Sequence, residues 1–264
     1  MQNNLQISNR MKRKIRILAV SLILVLTWIA PISAFDFSDW DALILRYVNP
    51  KIVDGILIHA VNYEDLKNDS KFLALVSRLR FVHLDTLKTR DEKLVFWINT
   101  YNILAAKMVV DHFPIKSIKD IGNFFNPVWK KPAGNVAGKE RTLDEIEHEI
   151  LRKLDEPRIH TAIVCASVSC PDLRLEAFNI ETLNKQLNNQ VIEFLKSSEK
   201  GMKIDIKGRQ VYLSSIFKWF EDDFASRGGV LKFIRKYVSP EVAKQLARSD
   251  IKVSYLDYNW DLNS

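Results

Sequence analysis

Residues 91–113 read Asp-Glu-Lys-Leu-Val-Phe-Trp-Ile-Asn-Thr-Tyr-Asn-Ile-Leu-Ala-Ala-Lys-Met-Val-Val-Asp-His-Phe, and they decide the fold. Acidic residues open the stretch, Pro114 lies just past its end, and the interior is apolar around most of a helical circumference. A helix that is apolar nearly all round is buried, so this is the expected central helix of the domain. Asn99 and Asn102 are three positions apart and share one face of it. A buried amide without partners costs about 1 to 3 kcal/mol. These two must therefore either tie the following loop to the core or serve chemistry, orienting a histidine or donating to an oxyanion as amides do in thiol hydrolases.

Working outward, residues 36–90 read as helical segments, with Leu43, Leu45, Ile52, Ile56 and Leu57 recurring near helical spacing. His59 and His83 fall in these ordinary surroundings. Beyond the central helix, residues 114–141 switch to Pro, Gly and Asn punctuation around Trp129 and two phenylalanines, which predicts a long loop and a short hairpin at Gly138-Lys139. Thr142 with Glu145 three positions later is a capping box for a further helix. Ile159 to Cys165 reads as a short strand, and Pro171 suits a turn or a helix start. An amphipathic helix is expected over 179–196, a second hairpin over 202–213 around Lys207-Gly208, and a helix capped by Ser214 that carries Trp219 and Phe220. A helix at 230–237, another opened by Ser239-Pro240-Glu241, and a last strand at Ile251–Leu256 complete the series. No linker or low-complexity break interrupts residues 35–264, so the expectation is one helix-rich α+β domain with a small β-sheet and short hairpins.

At the N-terminus, Lys12, Arg13, Lys14 and Arg16 run directly into an uncharged stretch, Ile17 to Ala34. Pro31 breaks that stretch just before Ile-Ser-Ala, the layout of a secretory signal peptide cleaved after Ala34. The rival reading is an uncleaved anchor, because the run sits at the lower edge of the roughly 17 to 25 residues that span a bilayer. The net charge is +7, but residues 1–34 hold five basic and no acidic residues, which leaves +2 on residues 35–264. There Lys and Arg are interleaved with Asp and Glu, so no nucleic-acid partner is expected, and membrane contact only through the N-terminal segment if it stays uncleaved. The expected location is periplasmic or extracellular.

Three strings put chemically able groups inside apolar surroundings: Phe96-Trp97-Ile98-Asn99-Thr100-Tyr101-Asn102, Ile146-Glu147-His148, and Ile163-Val164-Cys165-Ala166-Ser167-Val168-Ser169-Cys170-Pro171. Cys170, immediately before a proline, can sit at a helix N-cap, where unpaired N–H groups stabilise a thiolate. The two cysteines of the chain, five positions apart, can equally form a Cys165–Cys170 disulfide in an oxidising compartment. Of the five histidines, His112 has a sufficient role at the end of the central helix, and His160 begins the strand that ends at Cys165, which sets it roughly 16 Å from the far end. His148, flanking the apolar stripe Leu143, Ile146, Ile150 and Leu154, is the preferred base. Tyr101 reads as core. Asp222 and Asp223 are candidates to orient His148, against the plainer reading of a solvated helix face.

In this order the three strings resemble the family called domain of unknown function 547, with later matches at Trp219-Phe220-Glu221-Asp222-Asp223-Phe224 and Tyr258-Asn259-Trp260. The resemblance runs from about Asp91 to Leu195 and more loosely onward. It implies no settled activity, and it implies that Cys170, His148, His160 and the asparagines of the central helix belong to a shared pattern. A papain- or transglutaminase-like arrangement is the expected architecture.

Zinc-type Cys/His spacing, a P-loop, G-x-G-x-x-G and G-x-S-x-G are all missing from the sequence, so chemistry without a cofactor is expected. The leading expectation is an exported thiol enzyme, a hydrolase or transferase of acyl or amide groups on a small-molecule or peptide-like substrate. Cys170 is its nucleophile and His148 its base, with Asn99, Asn102 and His160 as supporting candidates. The alternative is a non-catalytic periplasmic binding or scaffold domain closed by the Cys165–Cys170 disulfide, with Trp129 and the 122–141 loop on its ligand or partner surface.

Overall fold

Trp40, Leu43 and Ile44 recur at helical spacing and carry α1 (Ser38–Tyr47) against the core in the computed structural model, which describes residues 35–264. The expected leader, residues 1–34, lies outside the described residues.

The chain then departs from its expected helical course. Val48–Val53 (β1) and Ile56–Val61 (β2) pair antiparallel, with Val53 opposite Ile56. Asp54 and Gly55 take φ of 51° and 81°, the two positive values of a type I′ hairpin turn. Ile52, Ile56 and Leu57 are therefore strand residues, and His59 sits on β2. Two short helices follow, α2 (Tyr63–Leu66) and α3 (Ser70–Leu79), the latter started by Asp69, whose carboxylate accepts from the backbone N–H of Lys71 and Phe72.

The long helix α4 (Arg90–His112) begins at a capping box between Thr89 and Glu92. From Leu94 to Val110 every residue except Lys107 is buried, as the all-round apolar pattern predicts. The hairpin β3 (Pro132–Val136) and β4 (Lys139–Thr142) lies across this helix. A Cβ on Gly134 would stand 2.7 Å from Leu104 Cδ2, so glycine is what lets the strand approach so closely.

Thr142 Oγ1 accepts from Glu145 N–H, and the helix that follows is wound as a π-helix over Glu145–Leu151. A 3-10 turn, Arg152–Leu154, continues it. The strand expected over Ile159–Cys165 is absent. Its first half is a 3-10 helix, Pro157–Thr161, opened by Pro157 and by the Glu156 carboxylate on Arg158 N–H. Its second half is held by a side chain rather than by a neighbouring strand, since Asn102 receives Val164 N–H at 2.8 Å and donates to Ala162 O at 3.0 Å. The backbone groups a ladder would have used are thereby satisfied.

Residues 171–182 are irregular, and the next helix, α5 (Leu183–Lys196), joins two apolar cores. Leu183 and Leu187 pack in the core around α4, while Val191, Phe194 and Leu195 pack in a second core with Phe217, Phe224 and Ile234. Around that second core run β5 (Met202–Asp205), β6 (Gln210–Leu213), α6 (Ile216–Trp219), a 3-10 segment Glu221–Arg227, α7 (Val230–Ile234), α8 (Pro240–Leu246) and β7 (Lys252–Tyr255). β6 is central in this small sheet, antiparallel to β5 and parallel to β7. Among the described residues, helices and three small sheets make the fold α+β.

The last residues run back along the segment between the cysteines. Val168 N–H donates to Asp261 O, Ser169 N–H to Asn259 O and Asn263 N–H to Ala166 O. This strip brings Tyr258 and Trp260 to the same cavity as Cys165 and Cys170.

Candidate functional site

A cavity of about 370 Å³ opens between α4, the π-helix, the Cys165–Cys170 loop and α6. His160 lines it because the 3-10 helix replaces the expected strand, and the separation argued for an extended chain no longer applies. His160 is 3 % exposed, and its ring stacks on Phe220 with centroids 4.0 Å apart. Its Nε2 lies 2.7 Å from Asp223 Oδ2. Arg152 grips the same carboxylate with two N–H groups, Nε to Oδ2 and Nη2 to Oδ1, both at 2.7 Å. Burial opposes charge on Asp223, but the hydrogen bonds from His160 and Arg152 hold its carboxyl far below the ordinary range. An ionised Asp223 accepts, so Nε2 carries the ring hydrogen and Nδ1 holds the lone pair. Burial depresses the pKa of His160, with Asp223 pulling the other way. The buried Nδ1 of the imidazole has no hydrogen-bond partner.

Glu147 stands opposite that nitrogen, Oε1 to Nδ1 at 4.0 Å. Burial pushes its carboxyl up to about 7, against the opposing effects of the Tyr101 hydroxyl, which donates to it at 3.3 Å, and of Arg152. A carboxyl that changes charge near neutrality thus stands 4.0 Å from an imidazole nitrogen without a hydrogen-bond partner. The π-helix supports the geometry, since its wider turn carries Glu147 and His148 and leads into Arg152.

Cys165 and Cys170 are joined by a disulfide, their Cα atoms 6.3 Å apart. The Cys170 sulfur receives Cys165 N–H at 3.0 Å and the Tyr258 hydroxyl at 3.3 Å. Cys170 does not cap a helix: Pro171 leads into the irregular segment, and α5 starts only at Leu183. Side-chain hydrogen bonds hold that segment instead. The Asp172 carboxylate accepts from Lys200 Nζ and from His59 N–H, Gln190 donates to Asp172 O, and Asn99 pairs with both N–H and C=O of Phe178. The sulfur is consequently positioned by a fixed loop rather than by a helix dipole. The far wall of the cavity is aromatic, with Trp219 and Trp260 stacked at 5.7 Å and Trp129 beside them.

Residues 84–195 match the model of the family described as "Protein of unknown function, DUF547". Residues 84–195 belong to that family. No curated protein and no solved structure matches the chain. The DUF547 segment contains Tyr101, Glu147, His148, Arg152, His160 and both cysteines. Asp223, Trp219, Tyr258 and Trp260 lie beyond it and close the same cavity.

Among the residues singled out in the sequence, the fold gathers Cys170, His148 and His160 at one cavity. His148 has its Nδ1 on Arg152 at 2.8 Å, and its Nε2 faces Asp144 at 3.8 Å. Asn99 and Asn102 spend both ends of their amides on backbone and bind the loops that carry the site. His112 bonds Met108 O within its own helix. Tyr101, expected as plain core, is buried but turns its hydroxyl to Glu147 in the cavity. Asp223 orients His160, and reaches His148 only through Arg152. The sequence singled out the string Ile146-Glu147-His148 but gave Glu147 no role of its own, and it gave no signal for Arg152. Among the described residues, no three His, Cys, Asp or Glu side chains converge to hold a metal ion.

Proposed function

We propose that this is an exported, cofactor-independent thiol enzyme that hydrolyses or transfers acyl or amide groups, with Cys170 as nucleophile and His160 as the proton carrier. The observation that carries the proposal is that His160, oriented by Asp223 and with an unpartnered Nδ1, lines the same cavity as Cys170. Sequence favours His148 for this role, but Arg152 occupies its Nδ1, and His160 has the oriented, buried geometry of a general base. The expected papain- or transglutaminase-like arrangement belongs to the same proposal.

The disulfide-bonded protein is the resting form. A dithiol donor reduces the Cys165–Cys170 bond and is itself oxidised to a disulfide, leaving two thiols. Cys170 then gives its proton to His160 Nδ1 as its sulfur forms a bond to the substrate carbonyl carbon, and the C=O pair moves onto oxygen. Collapse breaks the bond to the leaving amine or alcohol, which takes the proton from His160. Water or an acceptor nucleophile, deprotonated by His160, releases the acyl group and restores the thiol. Cys165 N–H and the Tyr258 hydroxyl, which already point at the Cys170 sulfur, lower the cost of its thiolate. The basic leader followed by an apolar run supports export, and an oxidising compartment suits the disulfide.

The disulfide itself favours a second reading, a binding domain whose aromatic wall of Trp129, Trp219 and Trp260 holds a ligand without chemistry. Incubating the reduced protein with an activated acyl ester and mapping the adduct by mass spectrometry separates the two. The enzyme reading predicts an acyl group on Cys170 that turns over in the wild type and forms at least tenfold more slowly in His160→Gln. Labelling scattered over surface lysines, with Cys170 unmodified, would leave the binding domain.

A further inference from the structure

Phe124 and Phe125 are each 94 % exposed, adjacent in sequence, and packed edge to face with ring centroids 5.4 Å apart. They sit at the tip of a built loop. Asn123 Oδ1 accepts from the backbone N–H of Phe125 and Asn126, and Asn123 N–H donates to Asn126 O. At the base, a Cβ on Gly122 would stand 2.4 Å from Val128 N, so the loop closes there only around glycine, and Val128 anchors the return in the core. The rings are therefore held out from the surface by a fixed framework, with no cleft of the protein to receive them.

The flanking charge is one-sided. Lys116, Lys119 and Lys130 are exposed, Lys131 is half-buried, and the one acid between residues 114 and 132 is Asp120. Its carboxylate caps the backbone N–H of Lys116 and Ser117. Two projecting aromatic rings framed by lysines match a phase that is apolar beneath and negatively charged above. We propose that this loop is a peripheral docking site for an anionic phospholipid surface. A bilayer needs no shaped groove on the protein, whereas a protein partner binding two convex rings would have to supply the whole pocket itself. Trp129, in the 3-10 turn Val128–Lys130 on the returning limb of the loop, lines the cavity, so docking sets the cavity mouth near the lipid interface.

The test is hydrogen exchange of the full chain with vesicles of phosphatidylcholine alone or mixed with phosphatidylglycerol, read over residues 123–126. Exchange is expected to slow at least tenfold on the phosphatidylglycerol vesicles and to stay unchanged on phosphatidylcholine. The Phe124→Ser/Phe125→Ser variant should lose that protection, and its substitutions lie at exposed positions that leave folding intact. Direct readout at the loop makes the result independent of any anchoring by residues 1–34. Equal exchange with and without vesicles would overturn the proposal. So would equal slowing on neutral lipid, or slowing that depends on protein concentration without lipid, which would identify a second copy of the chain as the occupant.

Discussion

His160 Nε2 lies 2.7 Å from Asp223 Oδ2, across 63 positions of sequence, and Arg152 closes on the same carboxylate with two further hydrogen bonds. One carboxylate thus orients the imidazole and neutralises the guanidinium. Removing its charge in Asp223→Asn leaves Arg152 uncompensated and breaks the tautomeric control of His160. The pair is partly open to solvent, which screens it, so the expected cost is roughly 1 kcal/mol, measured by urea unfolding. Because its folded pKa is depressed, Asp223 contributes stability present above pH 3.8 and lost as pH falls below that value, and the variant should lack that acid-side loss.

Glu147 gives the opposite sign. Its folded pKa of about 7 lies above the ordinary 4.5. Its contribution is therefore fully present below pH 4.5 and is lost as pH rises through 7. Between pH 4.5 and 8 wild-type stability should fall by on the order of 2 to 3 kcal/mol from this group. Glu147→Gln should flatten that slope in unfolding measured at pH 5 and pH 8.

Reduction of the Cys165–Cys170 bond releases a closed loop of only six residues, and chain entropy makes it worth about 2 kcal/mol. Adding a dithiol should lower the melting temperature of the wild type and leave the Cys165→Ser/Cys170→Ser variant unchanged. The two reduced forms should melt close together.

Asn99→Ala strands the buried N–H and C=O of Phe178, and Asn102→Ala strands Val164 N–H and Ala162 O. Each should destabilise by about 2 to 4 kcal/mol, since buried donors left unpaired cost about 1 to 3 kcal/mol apiece. Thermal unfolding checks the magnitude, and a proteolytic nick within residues 171–182 in Asn99→Ala would mark the freed loop.

The central helix was the most legible element, because apolarity around the whole circumference has one physical solution. The hairpins at Gly138 and Lys207-Gly208 were legible from turn chemistry. The β1–β2 hairpin carried the same signal in Asp54-Gly55, and the helical spacing of its apolar residues obscured it. The segment after His160 could not be read locally, since Ala162 and Val164 there satisfy their backbone through Asn102, 60 to 62 positions away. Chemistry singled out Cys170, His148 and His160 in the sequence, but the partners that distinguish the two histidines, Arg152 and Asp223, are set by the fold. A carboxylate that orients an imidazole across the fold leaves no local spacing to recognise.

The account turns on whether Cys170 is an activated thiol served by His160, and its alkylation rate against pH in the Cys165→Ala variant tests this most directly. The account predicts rapid alkylation well below the ordinary thiol pKa of about 8.5, and a titration that His160→Gln moves up toward that value. An ordinary titration midpoint that His160→Gln leaves in place would contradict it.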